Sequence, residues 1–164
     1  PIESYSKYFE YPEFASYISE NISENWTEKV SELKTRMIRG KEISEQINIL
    51  GDDGVPVEYH VTFWKSEFID FVILQQDSFD DVDAVTPLER QKDMLDLVTD
   101  ICRTDFEFDN FNEVAEFFKE LINLGRQMNY SEAGSDRFDN YYNQFRELVS
   151  KKTESQLIED QSFV

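Results

Sequence analysis

Apolar residues recur along this chain mostly at intervals of three and four rather than two, the spacing of one face of an α-helix. The first segment places Tyr5, Tyr8, Phe9, Tyr17 and Ile18 around Pro12. That proline ends or kinks a short helix, because its ring removes an amide donor and crowds the preceding turn. After Ser23, a helical run puts Trp26, Val30, Leu33, Met37 and Ile38 on one face. Gly40 interrupts the run, Ile43, Ile47 and Leu50 continue its stripe, and Gly51 stops it. Gly51-Asp52-Asp53-Gly54-Val55-Pro56 then reads as a turn: two glycines, an Asp-Gly step and a proline. The next stretch carries two periods. Val57, Tyr59, Val61 and Phe63 alternate as in a strand, whereas Val61, Trp64, Phe68, Phe71 and Val72 fit a helix face. The run is too long for an ordinary strand, so the pattern predicts a helix.

Thr86-Pro87-Leu88-Glu89 marks another helix start. Thr86 can cap, Pro87 has no amide to leave unpaired, and Glu89 sits where it reaches back. Leu88, Gln91, Met94, Leu95, Val98, Ile101 and Cys102 then share a broad face. Asn110 with Glu113 repeats the capping pattern ahead of Val114, Phe117, Phe118, Leu121 and Leu124. Beyond Gly134, the residues Phe138, Tyr141, Tyr142, Phe145, Leu148 and Val149 form a last stripe, and the polar end from Lys151 to Val164 either extends that helix or frays. The prediction is an all-α bundle of six to seven helices with no significant sheet, forming one domain over residues 1–164.

Composition supports a folded core. A chain of this length buries roughly 70% of its unfolded surface, and 14 Phe, 8 Tyr and 2 Trp are there to fill it. The 16 Lys plus Arg against 35 Asp plus Glu leave a net charge of −19. Nucleic acid and anionic lipid are disfavoured partners, since binding a polyanion needs basic groups that displace counterions. A solvated acidic surface, a basic protein partner and DNA mimicry all remain compatible with the charge. Cys102 has no second cysteine to pair with, which suits a reducing, cytoplasmic setting. No run has the apolar length of a membrane span, and PIESYSKYFE lacks a signal-peptide pattern. A start at Pro1 fits either methionine removal or excision from a longer protein.

Candidates for chemistry are few. GxxxxGK[ST] does not occur, nor a Gly-rich nucleotide loop or a serine nucleophile elbow. His60 is the sole histidine, so a triad would need it together with Cys102 or a distant serine. Beside aromatic residues it reads as a partly buried structural side chain. One Cys and one His fall short of a zinc ligand set. Asp105, Glu107, Asp109 and Glu116 fall at positions one, three, five and twelve of an EF-hand-like loop, but Asn110 replaces the glycine at six and Asn112 the apolar residue at eight. Phe106, Phe108 and Phe111 inside that loop favour a packed connection over a calcium site. No metal site is expected.

Four pieces of sequence, in order, resemble a known family. Ser4-Tyr5-Ser6-Lys7-Tyr8 resembles SYSxY, and Ile49-Leu50-Gly51-Asp52-Asp53 resembles (L/V)VGxD. Leu74-Gln75-Gln76-Asp77-Ser78-Phe79 with Val82-Asp83 resembles LQQNxF and the VD after it. Pro87-Leu88-Glu89-Arg90-Gln91 with Met94-Leu95 resembles P(L)xKQxxML. These pieces cover the first three-fifths of the chain. They are similar to the C-terminal region of the catalytic A subunit of V/A-type rotary ATPases.

The resemblance implies a helical C-terminal domain that couples ATP hydrolysis or synthesis to rotation of a central stalk and to ion transport. It implies ATPase B subunits and the central-stalk subunit as partners, and a cytoplasmic place in the soluble head, peripheral to the membrane. Asp52, Asp53, Gly54, Val55, Pro56, Val57 and Glu58 match the turn that bears on the rotor. Gln76, Phe79 and Val85 match the segment beside the adenine. Here the chain departs from the pattern: Val85-Thr86 stands where the family has Tyr-Cys, and Asp77 where it has Asn. ATP and Mg belong to the parent's nucleotide domain, absent from these residues, so the implied fragment has no catalytic residue and no cofactor of its own. The rival reading is a free-standing acidic helical adaptor for a basic protein, and a further one is a calcium-responsive module.

Overall fold

The computed structural model describes residues 25–74, 88–132 and 134–162. Five α-helices stand among them: α1 (Trp26–Leu50), α2 (Val57–Ile69), α3 (Leu88–Arg103), α4 (Phe111–Asn129) and α5 (Asp136–Ser162). A 3-10 turn at Asp52–Gly54 joins α1 to α2, and a π-helical turn at Asp70–Leu74 follows α2. No strand occurs among the described residues, so the all-α class holds. Among the described residues five helices stand against the six to seven expected of the whole chain. Gly40 leaves α1 unbroken, and the helix expected around Pro12 and the cap at Thr86-Pro87 lie outside the described residues.

Gly40 is a close-approach residue, not a breaker. A Cβ placed on it would stand 2.2 Å from Cβ of Ser66 on α2. The absent side chain lets the two helix backbones meet, and the α1–α2 hairpin is the most extensive helix pairing among the described residues. The sequence also assigned Ile38 and Leu50 to the buried stripe, but they are 57% and 61% exposed. Among the described residues nothing covers those parts of the face. Two ion pairs also join the N-terminal part of α1 to α3. Lys29 Nζ meets Asp96 of α3 at 2.5 Å, and Glu32 takes Arg36 on one carboxylate oxygen and Arg103 of α3 on the other.

The ambiguous stretch is helical. His60 and Val61, Lys65 and Ser66, and Phe68 and Ile69 are buried in pairs one helical turn apart. α2 packs between α1 and α4, and α4 packs in turn on α5. Met94, Leu95, Val98, Ile101 and Cys102 of the predicted face of α3 are buried, and Leu97, which the pattern did not include, is buried with them. Val114, Phe117, Phe118, Leu121 and Leu124 of α4 are buried likewise. Its start is capped as the sequence indicates: the Glu113 amide donates to Asn110 Oδ1 at 3.1 Å, while the Asp109 amide donates to the Glu113 carboxylate at 3.2 Å. The polar end of α5 extends the helix to Ser162. Gln156 fastens it to the 104–110 connection through the Glu107 amide and the Asp105 carbonyl.

That connection is packed through its aromatic residues. Phe106 is buried and, with Phe108, meets the rings of Phe117 and Phe118 at centroid distances of 5.1 to 6.5 Å. The buried Lys65 ammonium donates to the carbonyls of Cys102 and Thr104 at 3.2 and 2.6 Å. It thereby satisfies carbonyls that the end of α3 would leave unpaired. Among the described residues no three His, Cys, Asp or Glu side chains are grouped to hold a metal. No helix among them is long and apolar enough to cross a membrane.

Candidate functional site

The α1–α2 joint is an exposed turn. Gly51 ends α1 at φ 79°, a conformation that favours glycine, with its amide on the Ile47 carbonyl at 2.8 Å. The chain then tightens: the Gly54 amide donates to the Gly51 carbonyl at 3.2 Å, and the Val55 amide to Asp52 at 3.4 Å. Val55 is buried and anchors the turn, and Pro56 starts α2 without leaving an amide unpaired. Of the residues expected to meet the rotor, Asp52, Asp53, Gly54, Pro56 and Glu58 are exposed, Val57 is half-buried and Val55 points inward. Glu58 lies in the first turn of α2, where the helix dipole favours a carboxylate.

Two features of this tip had no plain signal in the sequence. Ile49 and Leu50, 82% and 61% exposed, put apolar surface beside the acidic turn. His60, 3% exposed, sets its Nε2 2.9 Å from the Asp52 carbonyl oxygen and stacks on Phe111, ring centroids 5.3 Å apart. The turn is thus tied to the first residue of α4. The tip is a stiff, acidic projection edged with apolar side chains.

Gln76, Phe79 and Val85 lie outside the described residues, whereas both flanks of their segment are described. On one flank the Val72 carbonyl accepts from Asn129 Nδ2 at 2.7 Å, with the Val72 side chain against Gly125. On the other, the buried Arg90 guanidinium donates to the carbonyls of Met128 (2.6 Å) and Asn129. Asn129 carried no signal in the sequence, and Arg90 stood there only as one letter of a motif.

Three other ionisable groups are perturbed by burial: Cys102, Lys65 and Glu67. Burial pushes the Cys102 thiol up to about 12, which removes it as a nucleophile at neutral pH. Burial also lowers the Lys65 ammonium and raises the Glu67 carboxyl, the latter helped by nearby Asp70. No pair of these groups shares a cleft in an arrangement suited to acid–base chemistry; Lys65 is committed to closing α3.

Comparison with known proteins agrees with the motif order. Residues 15–115 match the family described as the C-terminal domain of V and A type ATP synthase. The chain is 32% identical over 152 residues to a V-type ATP synthase alpha chain of Borrelia turicatae, covering 93% of this chain and 24% of the relative. The corresponding alpha chain of Protochlamydia amoebophila is 28% identical over 153 residues, 93% of this chain and 25% of that one. That of Treponema denticola is 30% identical over 128 residues, 78% and 22% respectively. The chain therefore spans about a quarter of the length of these curated relatives. With the family matched over most of its length and the all-helical fold in place, the chain belongs to the C-terminal domains of V and A type ATP synthases.

Proposed function

We propose that these residues form the force-transmitting C-terminal domain of a catalytic A subunit, coupling ATP hydrolysis or synthesis in the parent enzyme to central-stalk rotation and ion transport. The observation that carries this reading is the tip at Asp52–Glu58. It is exposed and acidic, closed by its own backbone bonds and tethered through His60 to α4. A lever needs those properties: charge to engage a basic shaft, and a rigid base so that contact force tilts the domain instead of bending a loop. Gln76, Phe79 and Val85 contribute one wall at the adenine end of the nucleotide site, an assignment that rests on their likeness to LQQNxF and the segment after it. ATP and Mg act in the parent's nucleotide domain. B subunits and the central stalk are the partners, and the domain works in the cytoplasmic head, peripheral to the membrane.

The test is made in the assembled ATPase. Replacing Asp52, Asp53 and Glu58 together by Asn, Asn and Gln is expected to leave ATP hydrolysis measurable and to lower ion transport per ATP. Unchanged transport per ATP and unchanged torque on a loaded rotor would remove the tip from the coupling path.

A further inference from the structure

A cleft of about 310 Å³ opens where the α1–α2 hairpin meets α4, walled by Ser44 and Asn48 of α1, His60 and Trp64 of α2, and Phe111 and Asn112 at the start of α4. Asp52 of the turn also lines it, so the cleft is continuous with the tip. A volume at the small end of ligand sites suits one long side chain. His60 is 3% exposed, and the Asp52 carbonyl fixes its tautomer: a carbonyl only accepts, so Nε2, 2.9 Å away, carries the hydrogen. The neutral ring then offers Nδ1 as an acceptor, and no described residue donates to it. A buried acceptor left unpaired is costly, so this ring in the wall of an open cleft points to a donor supplied from outside.

The chemistry of the cleft selects that donor. Asp52 is exposed and anionic, and the side-chain oxygens of Ser44, Asn48 and Asn112 are further acceptors. Trp64 and Phe111 add aromatic faces, which attract cations. A cation already stands over the Trp64 ring, Lys119 Nζ 5.7 Å from its centroid, so the His60–Asp52 end is the one left to a ligand. An anion would face Asp52. A neutral amide could serve Nδ1 but would gain little from the carboxylate or the rings. A guanidinium serves all three, being planar, cationic and rich in donors. We propose that this cleft is a socket for an arginine side chain of the basic partner that meets the tip. The proposal rests on the reading of the tip as a contact for such a partner, and the exposed acidic residues Asp52, Asp53 and Glu58 of the adjoining turn supply the complementary charge.

The binding test uses the chain at pH 8 with its imidazole nitrogens labelled. His60 is the sole histidine, so its NMR signals are assigned without ambiguity. N-acetyl-arginine amide should shift Nδ1 saturably and bind about fivefold tighter than N-acetyl-citrulline amide, its neutral isostere. Equal affinity of the two, or no shift with either, would overturn the socket. Ala115→Leu fills the cleft from α4 and should abolish the shift. An undiminished shift would put the ligand elsewhere and overturn the socket as well. If that variant fails to fold, Asn112→Leu, at an exposed position of the lining, takes its place. In the assembled ATPase, Ala115→Leu should lower ion transport per ATP, and so should Asp53→Asn with Glu58→Gln, which alter tip charges outside the cleft lining. If only the tip pair lowers it, the partner does not use the cleft: the socket fails and the tip reading stands. If arginine amide binds but neither variant changes transport per ATP, the tip reading fails and the partner assignment falls with it.

Discussion

His60 reaches from the first turns of α2 back to Asp52, its Nε2 2.9 Å from the Asp52 carbonyl oxygen, while its ring rests on Phe111 at the start of α4. One side chain therefore connects the tip of the α1–α2 hairpin to a third helix. Because α4 packs on both α2 and α5, the tip is joined through it to the body of the described helices. The buried Val55 holds the turn from the other direction.

His60→Phe isolates the hydrogen bond. Phenylalanine keeps an aromatic ring for Phe111 and leaves the Asp52 carbonyl to water, so the cost is expected to be about 1 kcal/mol. Urea unfolding of the chain measures it. Hydrogen exchange gives the local readout: the Gly54 and Val55 amides, bonded within the turn, should exchange faster than in the parent chain. Unaltered exchange at both amides would show that the turn holds itself without His60.

Gly40→Ala sets two effects against each other. Alanine is the better helix former by about 1 kcal/mol, but its Cβ would fall 2.2 Å from Ser66 Cβ and 2.3 Å from Ser66 Oγ. Both helices must part to admit it, and overpacking of this kind costs about 1–3 kcal/mol or more. We expect the clash to win, with net destabilisation of roughly 2 kcal/mol on that scale. Ser66→Ala should not rescue the variant because the Cβ remains, whereas Ser66→Gly should. Equal behaviour of the two double variants in denaturant titration would refute the close-packing account.

These results show where the sequence was readable. Helix faces with a strong three-and-four period, as on α3 and α4, translate directly into buried residues, and so does the cap at Asn110 with Glu113. The turn at Gly51–Pro56 was legible because Asp-Gly and proline impose local backbone geometry. Gly40 was misread because a glycine in a helical run looks like a breaker until its neighbour across the interface, Ser66, is known. Leu50 was misplaced for a related reason: periodicity identifies a face, not how far along it a partner extends. Bonds such as Asn129 to Val72 join residues 57 positions apart and leave no local trace. Gln76, Phe79 and Val85, expected beside the adenine from the likeness of their segment, lie outside the described residues.

Cys102 and Lys65 together make alkaline stability informative. The folded thiol ionises near 12 against 9.0 unperturbed, so above pH 9 the unfolded chain releases a proton that the folded chain keeps. Stability from this group is lost as pH rises between those values. Lys65 acts oppositely: burial lowers its folded value below 10.5, so the unfolded chain holds more protons just below 10.5 and stability rises with pH there. Cys102→Ala removes the first effect and leaves the second. Its unfolding free energy should therefore respond to pH 9–11 more favourably than the parent's, by up to about 1.4 kcal/mol per pH unit. Parallel curves would mean that the thiol is not protected. Native-state labelling of Cys102 by a thiol reagent at pH 8 should likewise be slow and speed up only in denaturant.

Glu32 closes the α1–α3 interface by filling both carboxylate oxygens. Arg36 donates to Oε1 at 3.0 and 2.9 Å, and Arg103 to Oε2 at 3.0 and 2.7 Å. The Arg103 hydrogen bond is the largest influence holding this carboxyl below its ordinary value, with burial opposing and Arg36 assisting. A lowered carboxyl stabilises the fold above its unfolded value near 4.5 and loses that contribution as pH falls through the lower folded value. Glu32→Gln leaves two guanidinium groups facing one neutral amide. At pH 7 its Tm should fall by about 2 °C, small because the pair is partly exposed. The gap should narrow in 1 M salt, where screening acts over about 3 Å, and close towards acid as the parent's Glu32 takes up its proton. A gap that persisted unchanged at low pH would mean that Glu32 acts through packing of its side chain and not through its charge.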